Sequence, residues 1–176
     1  MPAFQLKPVD LGPEIISLWQ NTKLLAFGAH GCIRTDDRCP DTVVKFAHPT
    51  DADRALLQRE FGVMRELAES GAVARVDSVP LSDQARIFAF RLEKLQRVEL
   101  KELKTRLPEV RALVDKIQRC GVCHGDFSPS NIMQNAQGRL LFIDLAFSGP
   151  IDAEVPGDFF DGSIDYQRIE EWISYG

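Results

Sequence analysis

Asp126, Asn131 and Asp144 stand in a run that reads His124-Gly125-Asp126-Phe127-Ser128-Pro129-Ser130-Asn131-Ile132-Met133, then a polar tract, then Leu140-Leu141-Phe142-Ile143-Asp144. Each is a residue type that phosphoryl transfer requires. A hydroxyl attacking a phosphoryl group must lose its proton, and Asp126, ahead of a proline-containing loop, can hold a carboxylate in line to take it. The phosphates' charge must also be neutralised, and Mg²⁺ does this through hard oxygen ligands, one or two carboxylates together with waters and the phosphates themselves. Asn131 and Asp144 are oxygen donors of that kind. Between them Ile132–Gln134 leads into the turn-forming cluster Asn135–Gly138, and Arg139–Ile143 returns as an apolar strand, so a hairpin would bring Asn131 and Asp144 to one metal. Taken singly, an Asp or Asn in a loop is most often a turn former. Three together, with His-Gly before them and a hairpin between, point to a site.

Such a site needs elements to position it, and the upstream chain supplies candidates. Lys23–Phe27 reads as a strand, followed by Gly28-Ala29-His30-Gly31, then Cys32–Arg34, a polar turn at Asp36–Asp41 and the strand Thr42–Ala47, a three-strand meander with a glycine turn. Glycines at 28 and 31 would let backbone N–H groups approach phosphates without a Cβ in the way. Lys45 lies in the apolar setting Val43-Val44-Lys45-Phe46 and needs a partner there. The partner follows from periodicity. Thr50 and Asp53 resemble a helix-starting capping box, and the helix they open would stop at Ser70-Gly71. At about 100° per residue, Leu56, Leu57, Val63, Met64, Leu67 and Ala68 share one arc with Glu60 near its centre. The other charges of this segment, Arg54, Arg59, Arg65, Glu66 and Glu69, lie off the arc or at its edge. A carboxylate in mid-face is costly unless paired, so a Lys45–Glu60 ion pair is expected, presenting the lysine to a nucleotide's phosphates.

From about Leu24 to Phe147 the chain resembles the protein-kinase-like superfamily. The motifs that carry the resemblance are Gly28–Gly31, Val44-Lys45, Glu60, His124–Met133 and Ile143-Asp144-Leu145. The version with His-Gly-Asp in the catalytic loop is shared by atypical protein kinases of the RIO and Bud32 type and by aminoglycoside and choline kinase-like phosphotransferases. The resemblance implies a minimal bilobal α+β fold. Its N-lobe, about 1–93, would hold an antiparallel sheet and one helix; a hinge at about 93–97 would lead to a reduced, mostly helical C-lobe at about 98–176. The whole chain, 1–176, would be one kinase-like domain. It further implies ATP and Mg²⁺ as cofactors, with Glu93 and Leu95 binding adenine through main-chain groups, Gly28, Gly31 and Lys45 at the phosphates, Asp126, Lys45 and Glu60 in catalysis, and Asn131 and Asp144 on the metal. Two departures stand out. Leu145-Ala146 replaces the usual Phe-Gly, which removes the grounds for a switchable activation loop, and Gly125 replaces the arginine that reads activation-loop phosphorylation.

Composition bounds the rest. The chain has 176 residues, is 44% hydrophobic and carries a net charge of −5. That suffices for one unit of two small lobes and disfavours nucleic acid as a partner. No apolar run approaches the roughly 18 residues of a membrane span, and no secretory h-region opens the chain, so a cytoplasmic location and no membrane partner are expected. Cys120 and Cys123 form a C-x₂-C, but Cys32 and Cys39 do not complete a zinc pattern, and free thiols are expected. His124 is expected to orient the loop by bonding a backbone carbonyl. After Gly149 an irregular acidic stretch with Asp152, Glu154, Asp158, Asp161 and Asp165 leads into a short amphipathic helix, Asp165–Ser174, with Ile169, Trp172 and Ile173 inward; the helix is expected to cap the small lower lobe, and the alternative is an acidic rim that recruits a basic substrate. Three functions come out of this reading: an atypical protein Ser/Thr kinase first, then a small-molecule phosphotransferase, then a pseudokinase or nucleotide-binding module.

Overall fold

The computed structural model describes residues 12–77, 79–83, 86–151, 154–155, 158–159 and 163–174. The chain is α+β and divides into two compact units, one of residues 1–61 and 76–94, the other of residues 62–75 and 95–176.

In the first unit, α1 (Pro13–Gln20) was not anticipated from the sequence, although Pro at its start and Ile15, Leu18 and Trp19 at helical spacing are ordinary signals. It buries Ile15 and Leu18 in a cluster with Cys32, Val44, Phe46 and Ala89, and Trp19 stands edge-on to Phe46 at 5.2 Å. The cluster lies on one face of a five-stranded antiparallel sheet ordered β1-β2-β3-β5-β4, with β1 Lys23–Phe27, β2 Gly31–Thr35, β3 Thr42–Ala47, β4 Leu81–Asp83 and β5 Arg86–Glu93. The expected meander is therefore present. Lys45 lies opposite Ile33 on β2 and Phe90 on β5, which places it on the other face from Val44 and Arg91. That other face meets α2 (Asp51–Glu66), where Phe61 packs on Phe90 at 5.4 Å. A cavity of about 550 Å³, lined by Leu18, Arg38, Asp77, Leu81 and Arg91 among others, opens on the α1 side, away from Lys45.

Asp36 anchors the β2–β3 turn. Its carboxylate is buried and accepts from Arg38 Nε at 2.9 Å, Arg38 Nη2 at 3.0 Å and Arg91 Nη2 at 2.8 Å. The hydrogen bonds from Arg38, then those from Arg91, hold the carboxyl well below the usual carboxylate range. A depressed folded-state pKa means that the unfolded chain binds more protons, so this part of stability is whole above the ordinary carboxylate pKa of about 4 and is lost as pH falls toward the folded value. Asp36→Asn should accordingly flatten the acid side of a plot of thermal midpoint against pH. Parallel curves for parent and variant would show that the cluster contributes no such linkage.

The second unit holds β6 (Gln96–Arg97), α3 (Leu100–Thr105), α4 (Leu107–Arg119), β7 (Val122–Cys123), β8 (Ile132–Gln134), β9 (Leu140–Phe142) and β10 (Gly149–Pro150). Val110, Leu113, Val114 and Ile117 form the buried stripe of α4 at helical spacing. Arg106, at the α3–α4 junction, donates to Gly138 O at 2.7 Å and Gln134 Oε1 at 3.2 Å, which ties the helices to the β8–β9 hairpin. Residues 62–75, placed in the N-lobe on sequence grounds, group with this unit because Phe142 N donates to Ala72 O at 2.8 Å and Val73 bridges Phe142 in parallel. Among the described residues no helix is long and apolar enough to cross a membrane.

The tail corrects two expectations. Glu154–Val155 (β11) pairs antiparallel with Asp158–Phe159 (β12), and α5 spans Ser163–Ser174. Ile169 is fully buried, but Ile173, expected inward, is 39% exposed because the helix face that meets the core runs through Asp165, Ile169 and Trp172. Asp165 is no rim residue: it is completely buried. Asp152, Asp161 and Phe160, and the side chains of Glu154, Asp158 and Phe159, lie outside the described residues.

Candidate active site

The candidate loop, His124–Asn131, is built on the β8–β9 hairpin. Its register pairs Ile132 with Phe142, Met133 with Leu141 and Gln134 with Leu140. The turn closes because Asn135 Oδ1 accepts from Gln137 N at 3.1 Å and Arg139 N at 3.0 Å, while Gly138 takes φ 75°. The pairing continues one step beyond the strands, with Ile143 N donating to Asn131 O at 3.0 Å. Asn131 and Asp144 are thereby held at the open end of one hairpin.

Asn131 also fixes Asp126. Its Nδ2 donates to the Asp126 main-chain carbonyl at 2.8 Å and to Asp126 Oδ2 at 3.3 Å. A carbonyl can only accept, so the amide orientation is set, and Oδ1 is the group Asn131 has left to offer a cation. Asn131 is buried, whereas Asp126 is exposed. Asp144 has φ 60° and is the only non-glycine with positive φ among the described residues. Asp tolerates this left-handed conformation better than most residues, and strained backbone of this kind gathers at functional sites. Beyond it Leu145 and Ala146 are buried in a short 3₁₀ turn. Among the described residues no three His, Cys, Asp or Glu side chains gather as a metal-holding group. Asn131 and Asp144 instead offer the small oxygen set that Mg²⁺ supplements with waters and phosphates, and the residues present fit that ion.

His124 supports the loop from within the core. It is fully buried, its Nε2–H donates to Ile143 O at 3.0 Å, and burial pushes its pKa down, which keeps the imidazole neutral. The residue next to Asp144 is thus bound directly to the residue two before Asp126. Asp165, on α5, accepts from the His124 main-chain N–H at 2.9 Å. The sequence offers Asp165 a place in an acidic rim only as the alternative to a helix that caps the lobe. No local signal marks its burial, since it lies far along the chain from its partner; only its position in the first turn of an amphipathic helix, on the side of Ile169, hints at it.

In the first unit Lys45 Nζ lies 2.6 Å from Glu60 Oε2 and 2.7 Å from Glu60 Oε1. Glu60 is 2% exposed, and the buried stripe of α2 is Leu57, Glu60, Phe61 and Met64, continued by Leu67 just past the helix end, so the carboxylate does sit mid-face. Ala68, expected on this arc, is exposed because the α-helix ends at Glu66 and a 3₁₀ turn covers Ala68–Ser70 before Gly71. Thr50 caps α2 as the capping box required, with Asp53 N donating to Thr50 Oγ1 at 3.0 Å. Glu60→Ala would strip a mostly buried ammonium of its carboxylate; the expected cost lies toward the lower end of the roughly 3–5 kcal/mol for breaking a buried pair, since the Lys45 side chain keeps 17% exposure. A urea midpoint equal to the parent's would show that the pair contributes nothing to stability.

The glycine turn has a partly different physical reason from the one expected. A Cβ at Gly31 would lie 2.1 Å from Phe46 O, so glycine there lets β2 and β3 approach. Gly28 N donates to Gly31 O at 2.9 Å and closes the turn, which takes that N–H out of the set facing outward. Glu93 ends β5, paired with Thr42, and the chain passes from the first unit to the second between Lys94 and Leu95.

Residues 77–155 match the model of the phosphotransferase enzyme family, APH, which belongs to the protein-kinase-like superfamily. Over that span the chain is similar to kinase-like phosphotransferases. The matched span includes Glu93, Leu95, Asp126, Asn131 and Asp144; Lys45 and Glu60 precede it and α5 follows it. No match was found among curated proteins.

Proposed function

We propose that this protein is a kinase-like phosphotransferase that moves the γ-phosphoryl group of ATP, with Mg²⁺, to a hydroxyl, and that the acceptor is a protein Ser or Thr. The observation that carries the reading is the Asn131 side chain, which holds Asp126 by its amide and is held by its main chain against Ile143, next to Asp144. One residue thus sets a proton acceptor and a cation ligand in a single rigid unit.

The roles follow from the residues. Asp126, exposed and fixed through Asn131, takes the proton of the attacking hydroxyl. Asn131 Oδ1 and the Asp144 carboxylate would hold the cation, whose charge would offset that of the phosphates. Lys45, paired with Glu60, would offer a further positive charge to the nucleotide. Glu93 and Leu95 offer main-chain groups to adenine. A protein acceptor is favoured because Asp126 is exposed and because α5 spends its inward residues on the catalytic loop itself, with Asp165 on His124 and Trp172 on Phe127. A small-molecule acceptor is the second reading, supported by the family match over residues 77–155. All four cysteines are free, which suits a reducing cytoplasmic setting.

Incubation of the purified protein with γ-labelled ATP and Mg²⁺, with and without a cell lysate, tests the reading. Label on a protein supports the first acceptor class and label in a small molecule the second. Label that stays on ATP under both conditions overturns the proposal.

A further inference from the structure

α5 touches the catalytic loop at two places, and only one is a main-chain bond. The second is Trp172, whose indole stacks on Phe127 with ring centroids 4.8 Å apart and planes at 8°. Phe127 immediately follows Asp126 and is 5% exposed. Its other ring neighbours are Phe142 at 5.4 Å, inclined at 76°, and His124 at 6.1 Å, edge-on. Phe142 and His124 are in turn 4.9 Å apart. The ring after Asp126 is therefore gripped between the hairpin's own core and one residue from a helix more than forty positions away.

The grip matters because of what precedes Asp126. Gly125 has φ 76°, a backbone conformation open to glycine, and it carries no side chain that could pack beside Asp126. Asp126 itself is exposed, so packing does not fix its side chain. Its aim is set by the Asn131 amide and by the placement of Phe127. Two flat rings at near-parallel offset define the orientation of Phe127 more sharply than an aliphatic contact of equal area, since aromatic pairs prefer particular geometries.

We infer that Trp172 is a positioning residue for phosphoryl transfer: by stacking on Phe127 it holds the backbone at Asp126 and so the direction of the proton-accepting carboxylate. This rests on the phosphotransferase reading above. Trp172 touches neither the reacting atoms nor the cation ligands, so its loss should lower the rate of the chemical step and leave nucleotide binding in place. Misplacing a catalytic group by about 1 Å can cost on the order of 10²-fold in rate.

The test compares Trp172→Phe, which keeps a flat ring, with Trp172→Leu, which keeps apolar bulk and loses the ring. Trp172→Phe is expected to retain kcat within a few-fold. Trp172→Leu should lose roughly 10- to 100-fold in kcat with KM for MgATP unchanged within about twofold. Equal kcat values for the two variants, or a loss that appears wholly in KM, overturn the proposal. NMR of the same proteins separates it from the activity itself. Ring-current shifts on the Phe127 protons, and the backbone amide shift of Asp126, should move in Trp172→Leu and far less in Trp172→Phe. If the parent transfers nothing, the phosphotransferase reading fails while these shifts still decide whether Trp172 sets the Asp126 backbone; unmoved shifts overturn the positioning role whatever the activity. Should Trp172→Leu not fold, Trp172→Tyr against Trp172→Met poses the same contrast at smaller cost in volume.

Discussion

Asp144→Ala is expected to abolish transfer, with a loss on the order of 10³ or more, the upper range for removing one preorganised charged group from a phosphoryl-transfer site. Of the two cation ligands proposed, Asn131 is neutral, so Asp144 is the charged one of the pair. A second effect has to be separated from this one. Asp144 adopts φ 60° and ψ 58°, and alanine accepts that conformation less readily than aspartate. Asp144→Asn serves as the control, because asparagine tolerates the left-handed region and keeps the side chain's shape while losing its charge. Both variants should fail in transfer, and Mg²⁺ should no longer strengthen nucleotide binding, read by calorimetry with and without the ion. If Asp144→Asn transferred at the parent rate, the defect in Asp144→Ala would be one of backbone, and the metal assignment would be wrong.

What was legible in the sequence is what local chemistry determines. The hairpin between Asn131 and Asp144 could be read because its turn residues, Asn135 and Gly138, act within the turn, through an Asx bond and a positive φ. Lys45 and Glu60 could be matched although no contact is visible in a sequence, because each breaks the apolar pattern of its own element and a buried charge requires a partner. The capping box at Thr50 and the strand bounds at Lys23–Phe27 and Thr42–Ala47 belong to the same class.

The features that stayed hidden depend on long-range placement. Asp165 looks like one more acidic residue in an acidic stretch; that it is buried against the His124 N–H follows from how α5 docks, which no nearby residue encodes. Asp36 was assigned only to a polar turn, yet it joins Arg38, two residues on, with Arg91 on a strand far along the chain. Gly31 was read for its freedom of approach to a ligand, while the close neighbour in this structure is the Phe46 carbonyl. Residues 62–75 are expected in the N-lobe from their place in the sequence, yet Ala72 and Val73 join them to the unit that holds Phe142. In each case the residue type carried a true constraint, and the partner that satisfies it came from elsewhere in the fold.

Asp126→Asn distinguishes an enzyme from a binding module. Asparagine is nearly isosteric, its carbonyl still accepts from Asn131 Nδ2, and the stronger bond from that amide, at 2.8 Å, goes to the main-chain carbonyl of residue 126, which the substitution leaves alone. The loop should therefore keep its shape, and an exposed residue at this position costs little stability when exchanged. What is lost is basicity: an amide does not take the proton of an attacking hydroxyl. Transfer should fall by about 10²–10⁴, the range for removing a positioned general base, while the affinity for MgATP stays within a few-fold because neither Asn131 nor Asp144 is altered. Single-turnover transfer and equilibrium nucleotide binding, measured on the same preparation, read the two quantities independently. Loss of both together would mean that Asp126 supports the nucleotide site and has been given the wrong role. Retention of both, with every cellular effect of the protein intact, would falsify catalysis as its function and leave a nucleotide-binding module in its place.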